Sequence, residues 1–205
     1  LQKNRDDLAR AALIEKAKIS DLAKTITIDD AVLKDRLGEL DTDIGRLQAK
    51  LADFEQRLAD CDVVILSDYG KGGLTHITEM IRLARAAGKP VLCDPKGEDY
   101  ERYAGATIIT PNRAELRQVI GRWKNEADLV ARTQKLRTEL GLDAILVTRS
   151  EEGMTLFTAS GAVHETAMAR EVFDVSGAGD TVIATMAVML ASGASLVEAM
   201  RLANK

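Results

Sequence analysis

The chain has 205 residues, enough for one α/β domain with an appendage and too few for two full-sized domains. Its 28 Lys+Arg against 32 Asp+Glu leave a net charge of −4, which supplies no electrostatic footprint for nucleic acid. No stretch approaches the ~20 apolar residues of a membrane span, and Leu1-Gln2-Lys3-Asn4-Arg5 lacks a secretory apolar core, so the expected location is the cytoplasm.

The first 60 residues contain no proline and only two glycines, Gly38 and Gly45, and carry 11 Lys+Arg and 13 Asp+Glu, a net charge of 11 − 13 = −2. Leu8, Ala12, Ile19, Leu22, Ile26, Leu33, Leu37, Leu40, Ile44, Leu47, Leu51, Phe54 and Leu58 recur at steps of four and three, with Glu15 and Asp30 as polar interruptions. Such a seam is what a left-handed coiled coil requires. The spacing predicts one long helix, with a break near 27–30 as the alternative, because the β-branched residues and aspartates there are weak helix formers. At ~1.5 Å per residue, 58 residues reach roughly 87 Å, longer than the rest of the chain covers, so a partner is expected.

From Cys61 onward the grammar becomes alternating strand and helix. Val63-Val64-Ile65-Leu66 reads as a strand, residues 77–87 as a helix, Val91-Leu92-Cys93 as a strand after Gly88-Lys89-Pro90, and Thr107-Ile108-Ile109-Thr110 as a strand ended by Pro111. Helices near 112–120 and 126–140 lead to the strand Ala144-Ile145-Leu146-Val147. Residues 154–158 and 162–164 look like shorter edge strands, and helices near 178–191 and 195–204 follow. This order predicts a parallel sheet covered by helices, with ligands at the carboxyl ends of the strands. Cys61 and Cys93 read as core residues in a reducing compartment, and His76 and His164 have no ligand-type neighbours.

Each predicted strand end delivers polar residues: Ser67 to Gly72, Asp94-Pro95-Lys96-Gly97, Thr110-Pro111-Asn112 and Thr148-Arg149-Ser150. The strongest element is Asp174-Val175-Ser176-Gly177-Ala178-Gly179-Asp180-Thr181 before an apolar helix. Its small residues let the backbone approach a ligand closely, and the helix start aims unpaired N–H groups and partial positive charge at that point, an arrangement suited to an anion. Asp180, in the first turn, is either a cap and dipole complement or a general base beside a phosphate site.

Together with Asp94-Pro95-Lys96, Asn112-Arg113-Ala114-Glu115 and the segment from Val147 to Gly153, this turn resembles the ribokinase, or phosphofructokinase B, family of carbohydrate kinases over about residues 52–204. Within it, the segments from Ser67 to Gly72 and from Asp94 to Tyr103 look most like kinases acting on heptose 7-phosphate in lipopolysaccharide heptose biosynthesis. The resemblance implies ATP and magnesium as cofactors and a sugar phosphate as substrate. It implies Asp180 as the base and the N–H groups of Gly177, Ala178 and Gly179 as charge stabilisers. It assigns Asn112 and Glu115 to magnesium and phosphate placement, the magnesium contact being indirect, Thr148, Ser150 and Gly153 to the nucleotide pocket, Asn204 to the adenine side, and Lys71 and Lys96 to phosphate. A Walker A loop is absent.

Residues 3–51, with Arg5 to Lys16 as the core of the match, resemble the coiled-coil arm of the phage-shock protein A family, which implies a long helix in large homo-oligomers. That family's membrane helix has no counterpart, so self-association rather than membrane binding is expected. The expected architecture is α/β: a partial ribokinase-like parallel sheet over 60–205, preceded by a coiled-coil-type helix over 1–59. Because coiled-coil sequence stands where the kinase family has its sugar-binding half, the chain reads as chimeric and truncated, with poor turnover by itself expected. The competing expectation is a fusion or scaffold whose helical arm drives assembly.

Overall fold

In the computed structural model, which describes residues 2–70, 74–167 and 177–205 (side chains from residue 8), helix α1 runs without a break from Gln2–Leu58. The weak helix formers at 25–30 do not interrupt it: Thr25 and Thr27 turn their hydroxyls back onto the carbonyls of Asp21 and Ala23, at 3.1 and 2.8 Å, and stay within the helical ladder. The seam does carry one irregularity there. Leu22, Ile26 and Asp30 are separated by two consecutive four-residue steps, a stutter that locally relaxes a left-handed supercoil.

The chain divides into two compact units, residues 1–52 and 53–205. In the first, the seam residues Leu8, Ile19, Leu22, Ile26, Leu33, Leu37, Leu40 and Ile44 are 49–67% exposed. In the second, Leu58 is buried in the core and Phe54 packs against it.

The second unit is built on a six-stranded sheet in the order β1 (Val64–Ser67), β2 (Val91–Asp94), β3 (Ile108–Ile109), β4 (Ala144–Thr148), β5 (Met154–Thr158), β6 (Gly161–Glu165). The first four pair parallel and the last two antiparallel. The sheet is thus mixed. Only residues 149–153 join β4 to β5, too few for the crossover a parallel pair needs, so the chain must double back. The expectation that 154–158 is a short edge strand is corrected: β5 pairs with β4 along all five residues and is interior, and β6 alone forms that edge.

Alternation along the strands builds two cores. Val91 and Cys93, Ile109, and Ile145 and Val147 face one side, where they meet α2 (Ile77–Ala86), α3 (Arg113–Ile120) and α4 (Glu126–Glu139) through Ile77, Ile81, Leu116 and Leu129. Leu92, Ile108, Ala144 and Leu146 face the other, against Ile183 and Met186 of α5 (Ala178–Ala191) and Met200 of α6 (Leu196–Ala203). Strands covered on both faces read as continuous apolar runs, which is why these segments lack the polar alternation of a half-exposed sheet. Burial pushes the Cys93 thiol up to about 12, so it behaves as an inert core residue; Cys61 is only half-buried.

Candidate active site

Four parallel strands ending side by side place their following loops in one row, and α5 begins opposite them. They enclose a cleft of ≈ 610 Å³, a size suited to a small-molecule ligand. Among the described residues its walls include Tyr69 after β1, Asp94 at the end of β2 and Lys96 after it, Thr110 and Asn112 after β3, and Thr148 at the end of β4 with Ser150 and Gly153 after it. Gly177, Ala178, Gly179 and Asp180 close it at the start of α5, and Asn204 at the end of α6. Of the residues singled out from the sequence, these ten converge with Glu115: Lys96, Asn112, Thr148, Ser150, Gly153, Gly177, Ala178, Gly179, Asp180 and Asn204. Lys71 and Ser176 lie outside the described residues.

At α5, Gly177 is the N-cap in a left-handed conformation, φ 77°, and makes no side-chain capping bond. The first N–H groups of a helix have no intrahelical acceptor, and here they stand on the cleft wall. Among the described residues, a Cβ added at Gly179 would meet nothing within 4 Å. Asp180 is the third helical residue, not the cap; it accepts a hydrogen bond from the Tyr69 hydroxyl at 3.4 Å.

Asn112 and Glu115 form a capping box on α3. The Asn112 side-chain oxygen accepts from the N–H groups of Ala114 and Glu115, both at 2.9 Å, and Glu115 Oε2 accepts from the Asn112 N–H at 2.9 Å. Glu115 Oε1 meanwhile binds the Lys96 ammonium, which also stands 4.0 Å from Asp94 Oδ2. The Asn112 oxygen has therefore used both lone pairs, whereas Glu115 retains part of its four-site acceptor capacity. Of the two, Glu115 alone would have acceptor capacity to offer a cation.

Burial raises the Asp94 carboxyl to about 6; Lys96 opposes the shift, while Glu115, Asp180 and Asp68 add to it. For Lys96, desolvation pulls the ammonium pKa down, but the hydrogen bond to Glu115 and the charges of Asp94, Glu115 and Asp180 together raise it. Lys96 thus remains a cation held at the floor of the cleft. Its loop is tied to β1 by the Tyr103 hydroxyl, which donates to buried Asp68 at 2.8 Å and accepts from the Lys96 N–H at 3.0 Å.

Asp94, Tyr69, Arg113 and Arg149 carried no individual role in the motifs above. Asp94 and Tyr69 had a legible signal, since both stand at or after the ends of strands whose loops were already implicated. Arg113 lines the cleft, pairs with Glu152 and lies 6.0 Å over the Trp123 ring. Arg149 is buried behind the wall, and no local pattern announces that.

Solved structures share this fold over about three quarters of the chain. Ribokinase from Arabidopsis thaliana, in a structure with ribose and ATP, aligns with a TM-score of 0.65 at 25% identity, over 74% of this chain and 50% of that one. Phosphofructokinase-2 from Escherichia coli, in a structure with fructose-6-phosphate, aligns at 0.60 and 21%, over 73% and 52%, which speaks for the fold alone. Among curated proteins, the D-beta-D-heptose 7-phosphate kinase of Bordetella bronchiseptica is 58% identical over 150 residues, 73% of this chain and 48% of that protein. The bifunctional protein HldE of Aeromonas hydrophila is 56% identical over 151 residues, 73% of this chain and 32% of that protein. The chain thus spans half or less of the length of these curated relatives. The model of the pfkB family carbohydrate kinases matches residues 15–205, taking in most of α1 as well as the whole sheet unit, and on that match the chain belongs to the pfkB family of carbohydrate kinases.

Proposed function

We propose that this chain carries the nucleotide-binding and phosphoryl-transfer part of an ATP-dependent kinase acting on a sugar-phosphate hydroxyl, of the heptose 7-phosphate type. The observation that carries the reading is the start of α5, where small residues and a helix N-terminus face a cleft lined by four strand-end loops. Phosphoryl transfer asks the protein mainly for positioning and charge stabilisation. The N–H groups of Gly177, Ala178 and Gly179 receive charge on the transferring phosphoryl group. Asp180 takes the proton from the sugar hydroxyl, and Tyr69 orients its carboxylate.

Lys96 meets phosphate as a point charge at the cleft floor, drawn from its resting pairing with Glu115. Thr148, Ser150 and Gly153 line the nucleotide side, and Asn204, whose amide donates to the Thr166 carbonyl at 2.7 Å, closes the adenine side. Glu115, which keeps acceptor capacity beside the cleft, would hold magnesium, and the ion would supply charge neutralisation at phosphate oxygens. The relatives' names support heptose 7-phosphate as the substrate and lipopolysaccharide heptose supply as the role. No helix among the described residues is long and apolar enough to cross a membrane, which agrees with a cytoplasmic site of action.

Calorimetry with ATP and magnesium, with and without heptose 7-phosphate, followed by an ADP-release assay, tests the reading. Gly179→Val fills the open space beside the anion site, so it is expected to weaken ATP binding ~10-fold or more while leaving the melting temperature nearly unchanged. Equal ATP affinity in parent and variant would remove the anion-site assignment. A second role, self-assembly through α1, is favoured by the exposed seam from Leu8 to Ile44.

A further inference from the structure

Arg149 lies one residue beyond β4 with a side chain only 6% exposed, and all five of its guanidinium N–H donors are engaged. Nη1 and Nη2 grip the two oxygens of Glu126, the first residue of α4, at 2.9 and 2.6 Å. Nε and Nη2 meet Glu152 Oε2 at 3.1 and 2.7 Å, and Nη1 reaches the Thr155 hydroxyl of β5 at 3.3 Å. Glu152 in turn holds Arg113 on the cleft wall, so charges alternate along Glu126, Arg149, Glu152 and Arg113 and cancel.

The main chain of the same turn holds one residue, Ser150, in a conformation unfavourable for its type, beside a glycine position that admits no side chain. Ser150 has φ 53°, the sole non-glycine with positive φ among the described residues, and Gly153 has φ 92° with its α-carbon so close to the β6 end that a Cβ would stand 2.0 Å from the Glu165 carbonyl oxygen. Such conformations persist only where the surroundings over-determine them. Here the Arg149 N–H donates to the Gly153 carbonyl at 2.8 Å, the Glu152 N–H to the Arg149 carbonyl at 3.1 Å, and the side chain clamps the turn to α4 and β5. Only the guanidinium of this network is buried, while its carboxylate partners reach solvent, so the ion pairs add little to stability alone. The network's distinctive product is geometry: a bidentate, planar donor fixes direction as well as distance.

We propose that Arg149 is a positioning residue for nucleotide binding, holding the 150–153 turn in the strained form that presents Ser150 and Gly153 to the cleft. It rests on the ATP reading above for the identity of the ligand, and it acts without touching that ligand. Two variants test it. Arg149→Lys keeps the charge but offers no planar fork to span both carboxylates; Glu126→Gln alters a carboxylate whose side chain is 65% exposed, so the fold survives it.

Amide hydrogen exchange and ATP titration, followed by fluorescence of the sole tryptophan, Trp123, are read together. Both variants are expected to speed exchange at Glu152 and Gly153 by at least ~10-fold, with β2 and α5 amides unchanged, and to weaken ATP binding by at least ~5-fold. Exchange at the parent rate in both variants overturns the proposal, as does an unchanged ATP affinity in variants whose turn has loosened. If calorimetry shows that the parent binds no ATP, the kinase reading falls and the exchange result alone decides whether Arg149 holds the turn.

Discussion

Asp180 and Asp94 show how far position decides the work of one residue type. Asp180 sits at the third position of α5, where a carboxylate complements the helix dipole, an interaction of ~0.3–1 kcal/mol that its amide substitute loses. Where the chain, or a version with the sugar-binding half restored, transfers phosphate, Asp180→Asn is therefore expected to lower kcat ~10²-fold or more while the melting temperature shifts by only a few degrees, roughly 1–4 °C. Near-parent kcat in a variant that binds ATP normally would show that another group takes the proton. Asp94 is raised to about 6 chiefly by burial, so the folded chain prefers its neutral form. Its favourable contribution is complete below pH ~4, near the unfolded value, and is lost as pH rises through about 6. Asp94→Asn removes that dependence: the difference in melting temperature between variant and parent is expected to grow in the variant's favour from pH 4 to pH 7. Parallel curves across that window would contradict the shift.

At the scale of elements, periodicity placed most of the helices and strands within a residue or two, because each strand is a compact apolar run and each helix a period of 3.6. Where local pattern was insufficient, a longer-range constraint intervened. The segment 154–158 reads as a marginal strand by composition, yet its register against β4 buries Leu156 and Phe157 completely. Asn112 and Glu115 at three-residue spacing before a helix are a capping-box pattern as well as a family motif, and the structure shows the capping bonds in place. Helix α1 remains continuous through its β-branched stretch, and its seam leaves eight large apolar residues open. Leu33→Asp together with Leu40→Asp is expected to convert a dimer or larger species to monomer in light scattering, without loss of helix signal. A parent chain that scatters as a monomer at micromolar concentration would rule out self-assembly through this face.

Over the whole molecule, the nature of the fold and the location of the cleft were legible in the amino-acid sequence. Alternating apolar runs and helical periods specify a sheet covered on both faces, and polar residues at the strand ends mark the end at which the cleft lies. The small residues before an apolar helix marked one wall of that cleft for the same local reason: glycine backbone and helix polarity are properties of a few consecutive residues. Tertiary structure alone decided what those residues do to one another. Lys96 meets Glu115 across 19 positions, Tyr103 meets Asp68 across 35, Tyr69 meets Asp180 across 111, and Arg149 meets Glu126 across 23. None of these pairings has a signature in propensity or spacing, because each is set by how strands stack and where a helix lands on them. The raised carboxyl of Asp94, the burial of Arg149 and the strained turn at Ser150 follow from that packing. Local chemistry thus determined which groups line the cleft, and the packed sheet determined their charge, orientation and mutual restraint.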